Sequence, residues 1–200
     1  MGAILKVGLT GNIGSGKTMV GKIFEKLGIP VYRADEKGRS FLENAQVRDK
    51  IREEFGDAVF GSDGRVDREK LAAIVFNDDN KLEILNQLIH PLVREDFSGW
   101  AGRQESVSYV IQEAAILFET GQNTLFDKII TVTAPRELRI KRVCRRDGTK
   151  PVDVLRRESK QMEEARKVAM SDFVIVNDGN RAVLPQVIEI HEQLNDFSIK

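Results

Sequence analysis

Three glycines, a lysine and a threonine stand close together near the N-terminus, in Gly11-Asn12-Ile13-Gly14-Ser15-Gly16-Lys17-Thr18. These residue types at this spacing suit the holding of a polyphosphate. Glycines give the backbone conformations closed to residues with a Cβ, so consecutive N–H groups can converge on one anion. Asn12, Ile13, Gly14, Ser15, Gly16, Lys17, Thr18 and Met19 are therefore the candidate nucleotide contacts. Lys17 would set its ammonium against the β- and γ-phosphates, and the Thr18 hydroxyl would hold Mg²⁺. The helix that follows adds its positive N-terminal end. The spacing counts as a P-loop only where a strand leads in and a helix leads out. Leu5 to Leu9 reads as that strand, and Met19 to Leu27 has the helical period. A glycine-rich turn that binds nothing would explain one or two glycines, but not Lys17 and Thr18 at this spacing.

The other residues able to do chemistry fall mostly at strand ends or beside them. Asp35 follows a short apolar run, Ile29 to Tyr32, and a carboxylate there could face whatever the loop holds. An N-cap for the helix beginning at Glu36 explains it equally well. Glu113 ends another apolar run, Val107 to Ile111, where it would support Mg²⁺ directly or through water, or stand as a solvated residue. Arg142 and Arg146 share a helix face by their i, i+4 spacing in a basic segment before Asp147-Gly148. Such a segment alone reads as a solvated face, but beside a P-loop it suits a lid that closes over transferring phosphates. Asn177 to Asn180, with Gly179, follows a strand and is a candidate adenine contact. His90-Pro91 falls between helical patterns, and His90 reads first as a structural hydrogen-bonding residue. Arg94 is as well explained as a surface charge as a phosphate ligand. Leu117 and Phe118 serve a pocket or the core with equal economy. Trp100 reads as packing.

Elements with α/β character must position these groups. Asp127 to Thr133 and Asp172 to Val176 complete five apolar strands, and a helix over Arg181 to Leu194 would cover the sheet. From Glu36 to about Gln104 the period is helical. Val47, Ile51 and Phe55 share one face, Leu71, Ile74 and Val75 another, and Leu82, Leu85, Leu88 and Ile89 a third. Asn77-Asp78-Asp79 separates two of these helices, the second capped by an aspartate, and Pro91 suits a helix first turn. Val154 to Val168, which contains Gln161, reads as one charged helix. The expectation is a single domain over residues 1–200. It comprises a core at 1–34, 105–138 and 170–200, an acceptor-binding helical insertion at 35–104, and a lid at 139–169.

Bulk properties fit that architecture and narrow the setting. The chain has 200 residues, 41% hydrophobic and 31% charged, so it can bury a substantial core. Thirty-one basic and 31 acidic residues balance, which gives no electrostatic reason to expect a nucleic acid. Cys144 is the only cysteine and there are two histidines, so neither an intrachain disulfide nor a Cys/His metal site is expected. Met1 to Val7 runs into the first strand without an apolar leader, and no apolar run is long enough to span a membrane. These features point to a cytoplasmic protein without a membrane partner, its oligomeric state open and a monomer compatible.

Taken in order, the motifs resemble the dephospho-CoA kinase family. They are Gly8 to Thr18, Ala34-Asp35, His90-Pro91-Leu92-Val93, Ile116-Leu117-Phe118-Glu119, Arg142 to Asp147 and Asn177 to Gly179, spread over nearly the whole chain. The resemblance implies a three-layer P-loop kinase fold with a parallel five-stranded sheet, a helical substrate-binding insertion and a helical lid. It also implies ATP-dependent phosphorylation of the ribose 3′-hydroxyl of dephospho-CoA, with Mg²⁺. By that likeness Asp35 matches the catalytic carboxylate, Thr10 a polar residue near the acceptor, and Lys17 and Thr18 the phosphate and magnesium contacts. Arg142 and Arg146 match the lid's basic positions. The acceptor side would then comprise Thr10, Asp35, His90, Arg94, Leu117, Phe118 and Glu119. The chain departs from the pattern at Arg33, where an aspartate is frequent, at Glu113 and Ala115 in place of Asp-x-Pro, and at Asn12 in place of a glycine. Two other readings share the loop: a kinase of another nucleoside or small metabolite, and a regulatory module that holds nucleotide without transferring it. Against the latter, no Asn-Lys-x-Asp guanine-reading segment occurs.

Overall fold

A computed structural model of the chain describes residues 4–75 and 77–198; the first three residues of the Met1 to Val7 stretch lie outside them. In chain order the elements begin with β1 (Leu5–Thr10), α1 (Lys17–Lys26) and β2 (Val31–Arg33). Four helices follow: α2 (Ala34–Phe41), α3 (Ala45–Phe55), α4 (Arg68–Val75) and α5 (Asp79–Gly102). Then come β3 (Tyr109–Glu113), β4 (Lys128–Thr133), α6 (Arg136–Asp147), α7 (Pro151–Glu158), α8 (Glu164–Ala169), β5 (Phe173–Val176) and α9 (Val183–Ser198). The chain divides into two compact units, Met1–Arg33 with Trp100–Lys200, and Ala34–Gly99.

The first unit is built on a parallel sheet of order β2-β3-β1-β4-β5. β1 is central: Leu5 pairs with Tyr109 and Leu9 with Glu113 on one side, and Val7 pairs with Lys128 on the other. A parallel sheet buries both faces, which explains why all five residues of β3 are buried. Side chains alternate along each strand. Val7, Leu9, Ile111, Ile130, Val132 and Ile175 face a layer made by Val20 and Phe24 of α1 and Val187, Ile190 and Leu194 of α9. On the other face Gly8 lies against Leu117 and Phe126, and α8 packs on β4, giving three layers. Tyr109 places its hydroxyl 2.7 Å from His191 Nδ1, which ties β3 to α9. Burial pushes the Tyr109 phenol up, so it stays protonated. Trp100 packs at 5.3 Å between ring centroids from Tyr32, as a packing residue should.

The second unit is helical, and its helix starts obey local rules. Asn44 Oδ1 accepts from the N–H groups of Gln46 and Val47 at α3, and Asp67 Oδ1 from those of Glu69 and Lys70 at α4. Asp78 does the same for Asn80 and Lys81 at α5, the aspartate cap expected there. Val47, Ile51, Leu71, Val75 and Ile89 are buried, whereas Leu82, Leu85 and Leu88 are half-buried.

Four local expectations are corrected. β2 and β3 each lie about two residues later than the apolar runs suggest, because pairing extends them through Arg33 and Glu113. Pro91 does not start a helix but sits inside the 24-residue α5, where burial of Ile89, Val93 and Phe97 outweighs the hydrogen bond a proline forgoes. Asp35 is not an N-cap, since α2 begins at Ala34 and Asp35 lies in its first turn. Val154 to Val168 is two helices, and Gln161 stands in the turn between α7 and α8. No helix among the described residues is long and apolar enough to cross a membrane.

Leu9, fully buried in mid-sheet, is the sharpest test of this core. Leu9→Ala should lower unfolding free energy by about 2–5 kcal/mol, with an unchanged denaturant slope, in guanidinium titrations followed by circular dichroism.

Candidate functional site

In an open α/β sheet the crevice beyond the strands' carboxyl ends is where a ligand fits. At that end of the first unit stand Thr10 from β1, Arg33 from β2, Glu113 from β3 and Asn177 directly after β5. The loop 11–16 leaves β1 and enters α1, whose first residues are Lys17 and Thr18.

Two neighbours fix the loop's path. Gly14 (φ 80°) lies so close to α6 that a Cβ would strike the Arg139 carbonyl. Gly16 (φ 105°) precedes α1, and a Cβ there would strike the side-chain amide of Asn177. A residue with a Cβ would meet both strain and collision at either position. Lys17 curls back so that its Nζ donates to the Gly11 carbonyl at 2.8 Å. Thr18 Oγ1 donates to Glu113 Oε1 at 2.8 Å, so the hydroxyl and carboxylate proposed for magnesium are neighbours. Arg33 engages Glu25 through two nitrogens at 2.8 and 2.9 Å and brings its Nε to 3.8 Å from Glu113 Oε2. Hydrogen bonding by Arg33 holds the Glu25 carboxyl below its usual range. Ser15 and Thr10 are fully buried, Ile13, Gly14 and Lys17 are half-buried, and Thr18 and Met19 are exposed.

Asn177 is a strut. Its Nδ2 donates to the Ser15 carbonyl at 2.7 Å, while Arg142 donates to its backbone oxygen at 3.1 Å and to its Oδ1 at 3.2 Å. Its own N–H donates to the Thr133 carbonyl at 2.8 Å. Arg142 thus reaches the loop through Asn177. Arg146 is exposed and pairs with Asp147 at 2.6 Å, and Arg157 joins the same carboxylate at 3.0 Å. Hydrogen bonds from Arg146 and Arg157 hold the Asp147 carboxyl down to about 2. Gly179 lies in an exposed turn in which Asp178 Oδ1 accepts from the N–H groups of Asn180 and Arg181.

Several residues that their sequence context did not single out complete the surroundings. Arg139 is buried: its Nε donates to the Ala134 carbonyl at 3.0 Å, and its guanidinium lies 3.4 Å from the Ile13 oxygen and 2.6 Å from Glu158. Burial pushes the Glu158 carboxyl up, but hydrogen bonds from Arg136 and Arg139 outweigh it and the net shift is downward. Lys167 is fully buried, with Nζ 2.7 Å from Glu119 and 3.1 Å from the Ala115 carbonyl. Burial lowers its pKa, opposed by Glu119. Glu119 is thereby tied to Lys167 and to the Met162 N–H at 2.7 Å, while Leu117 and Phe118 are buried, Leu117 against Gly8. In sequence, Arg139 and Lys167 differ in no way from the solvated charges around them, and only the fold separates them.

The second unit brings Asp35, His90 and Arg94 into one electrostatic neighbourhood. Burial chiefly lowers the His90 pKa, Arg94 lowers it further and Asp35 raises it. Asp35 and Arg94 are exposed and His90 is half-buried. Lys37 lies 3.9 Å from Asp96 in the same unit.

Comparison with known proteins bears on what this arrangement serves. The family model described as dephospho-CoA kinase matches residues 5–182. A dephospho-CoA kinase of Bacteroides fragilis is 36% identical over 187 residues, covering 93% of this chain and 91% of that protein. A solved structure from Thermus thermophilus superposes with a TM-score of 0.86 at 33% identity, covering 96% of this chain and 98% of that one. The dephospho-CoA kinase of Campylobacter jejuni shares the fold, with a TM-score of 0.68 at 23% identity over 96% and 98% of the two chains.

The His90 environment makes a prediction of definite sign. The unfolded chain takes up the proton near the ordinary 6.5, before the folded one does, so stability falls as pH drops through that value. His90→Gln should remove this component: its stability relative to wild type should rise from about pH 7 to pH 5 in urea titrations. A difference independent of pH would contradict the assignment.

Proposed function

Because the chain belongs to the dephospho-CoA kinase family, we propose that it transfers the γ-phosphoryl group of ATP to the ribose 3′-hydroxyl of dephospho-CoA, giving coenzyme A. The observation that carries this reading is the family match over residues 5–182, which spans the loop, Asp35, His90 and the strand-end residues together.

Phosphoryl transfer asks mainly for positioning and charge stabilisation. The loop's backbone N–H groups and the Lys17 ammonium would cradle the β- and γ-phosphates. Lys17 would exchange the Gly11 carbonyl for phosphate oxygen, one hydrogen bond for a stronger charge-assisted one. Thr18 and Glu113 supply hard oxygen donors side by side, a set suited to Mg²⁺, which keeps few protein ligands and completes its shell with water and phosphate oxygens. Thr18 would hold the ion and Glu113 would support it through the hydroxyl or a water. Its chemistry there is to neutralise charge on the phosphates. Arg142, braced on Asn177, and Arg146, released from Asp147, would meet the transferring group from the segment 139–169.

Asp35 would accept the hydrogen bond of the acceptor hydroxyl and then its proton, as that oxygen attacks phosphorus in line with the departing ADP oxygen. His90 and Arg94, with Thr10, Leu117, Phe118 and Glu119, would serve the acceptor side, and the helical segment 34–99 would carry most of its recognition. Burial keeps His90 neutral near pH 7, which suits it to hydrogen bonding rather than to charge pairing. The lone Cys144 is compatible with a reducing cytoplasmic setting.

The test is phosphate transfer from Mg-ATP to dephospho-CoA, with the phosphorylated position identified, against a panel of nucleosides and nucleoside monophosphates. Asp35→Asn should lower turnover by about 10²-fold or more while ATP affinity stays close to wild type. Wild-type turnover in that variant would remove Asp35 from the mechanism.

A further inference from the structure

The tip of the phosphate loop is held from outside by the turn at 159–163. Ile13 gives its backbone N–H to Gln161 Oε1 at 2.8 Å. In the opposite direction, Asn12 Nδ2 donates to the Met162 carbonyl at 3.2 Å. The same two turn residues are anchored on the segment after β3, Gln161 Nε2 at 3.4 Å from the Ala115 carbonyl and the Met162 N–H at 2.7 Å from Glu119 Oε1. Buried Lys167 binds both of those anchors, and Arg139 holds the next peptide of the loop through the Ile13 carbonyl. Asn12 is 3% exposed, so its side chain points into protein and not toward solvent.

We propose that Asn12 and Gln161 are positioning residues for the phosphate donor: their reciprocal hydrogen bonds lock the Ile13 peptide outward and so preset the N–H groups of the next residues. The physical ground is the geometry of consecutive peptides. An anion cradle works only if its N–H vectors converge before the ligand arrives, since vectors ordered on binding cost affinity. With the Ile13 N–H turned to Gln161, the chain goes on between the Arg139 backbone at Gly14 and the Asn177 amide at Gly16, and the Ser15 N–H turns back to the Asn12 carbonyl at 3.0 Å until a ligand takes it. A glycine at position 12 could not make the bond to Met162. The two bonds close a single gap, so either alone preserves part of the alignment.

This inference rests on ATP being the donor, and its binding measurement needs no acceptor, whereas the kinetics alongside use dephospho-CoA. MgATP binding is measured by calorimetry for wild type, Asn12→Ala, Gln161→Ala and the double variant, with thermal midpoints and the kcat and KM for ATP alongside. Each single variant should weaken MgATP about three- to tenfold, the scale of one net hydrogen bond, with kcat at saturating ATP within about twofold of wild type. The double variant should lose more than the product of the singles, since either bond alone preserves part of the alignment. A purely structural role would lower the thermal midpoint and kcat together and leave the MgATP Kd unchanged; that result, equal Kd values in all four proteins, or no MgATP binding by wild type would overturn the proposal. Failure of wild type to phosphorylate dephospho-CoA would refute the acceptor while leaving the comparison of Kd values decisive.

Discussion

Everything in the first unit depends on one constraint: a short stretch of backbone must turn its N–H groups inward upon an anion, with few partners of its own to hold them there. From within, the loop holds the Ser15 N–H on the Asn12 carbonyl at 3.0 Å, and further bonds of that kind would use up groups kept for the ligand. The rest of its stiffness comes from outside. The α6 backbone presses on Gly14 and the Asn177 amide on Gly16, which leaves room for glycine alone at both positions. The central place of β1 reflects the same need, since a loop leaving the middle strand can be gripped by the segments that leave β3, β4 and β5.

The grip is electrostatically costly, and the neighbourhood is arranged to offset that cost. Arg139 and Lys167 are nearly water-free cations, and each is met by a carboxylate, Glu158 and Glu119, at 2.6 and 2.7 Å. Removing Glu119 would strip the buried Lys167 charge of its hydrogen-bonded carboxylate, a loss commonly worth about 3–5 kcal/mol, while Arg139 has a second carboxylate in Glu164 at 3.5 Å, so these groups act as fixed posts. Their place is telling: Arg139 holds Ile13, and Lys167 holds the carbonyl and carboxylate on which the 159–163 turn rests. The surface pair of Arg146 and Asp147 is different. It is exposed and bidentate, and such a pair can be exchanged for phosphate at little cost.

What could be read from the sequence was local. The loop's glycines, Lys17 and Thr18, the strand-to-helix context, the five strands and the Asp78 cap are each encoded within a few residues, and period and turn chemistry report them directly. Strand limits slipped by two residues because pairing with β1, not propensity, sets where β3 ends. Pro91 misled because tertiary burial along α5 overrides a local stop signal. Gln161, Arg139 and Lys167 were invisible for another reason. Their partners lie 148, 126 and 52 residues away, and no property of a lone glutamine, arginine or lysine separates a buried post from a solvated side chain. Asn177 was legible as a strand-end residue, but its service as a strut between Arg142 and Ser15 needed the fold.

The central claim is that loop 11–18 is a preset cradle for polyphosphate with Lys17 as its mobile cation. Calorimetric titration of MgATP into wild type and Lys17→Ala, at matched ionic strength and with thermal midpoints recorded, tests it most directly. Loss of a charge-assisted contact predicts binding weaker by about 10- to 100-fold in the variant, with its thermal midpoint close to wild type. Equal affinities in the two proteins would contradict the claim.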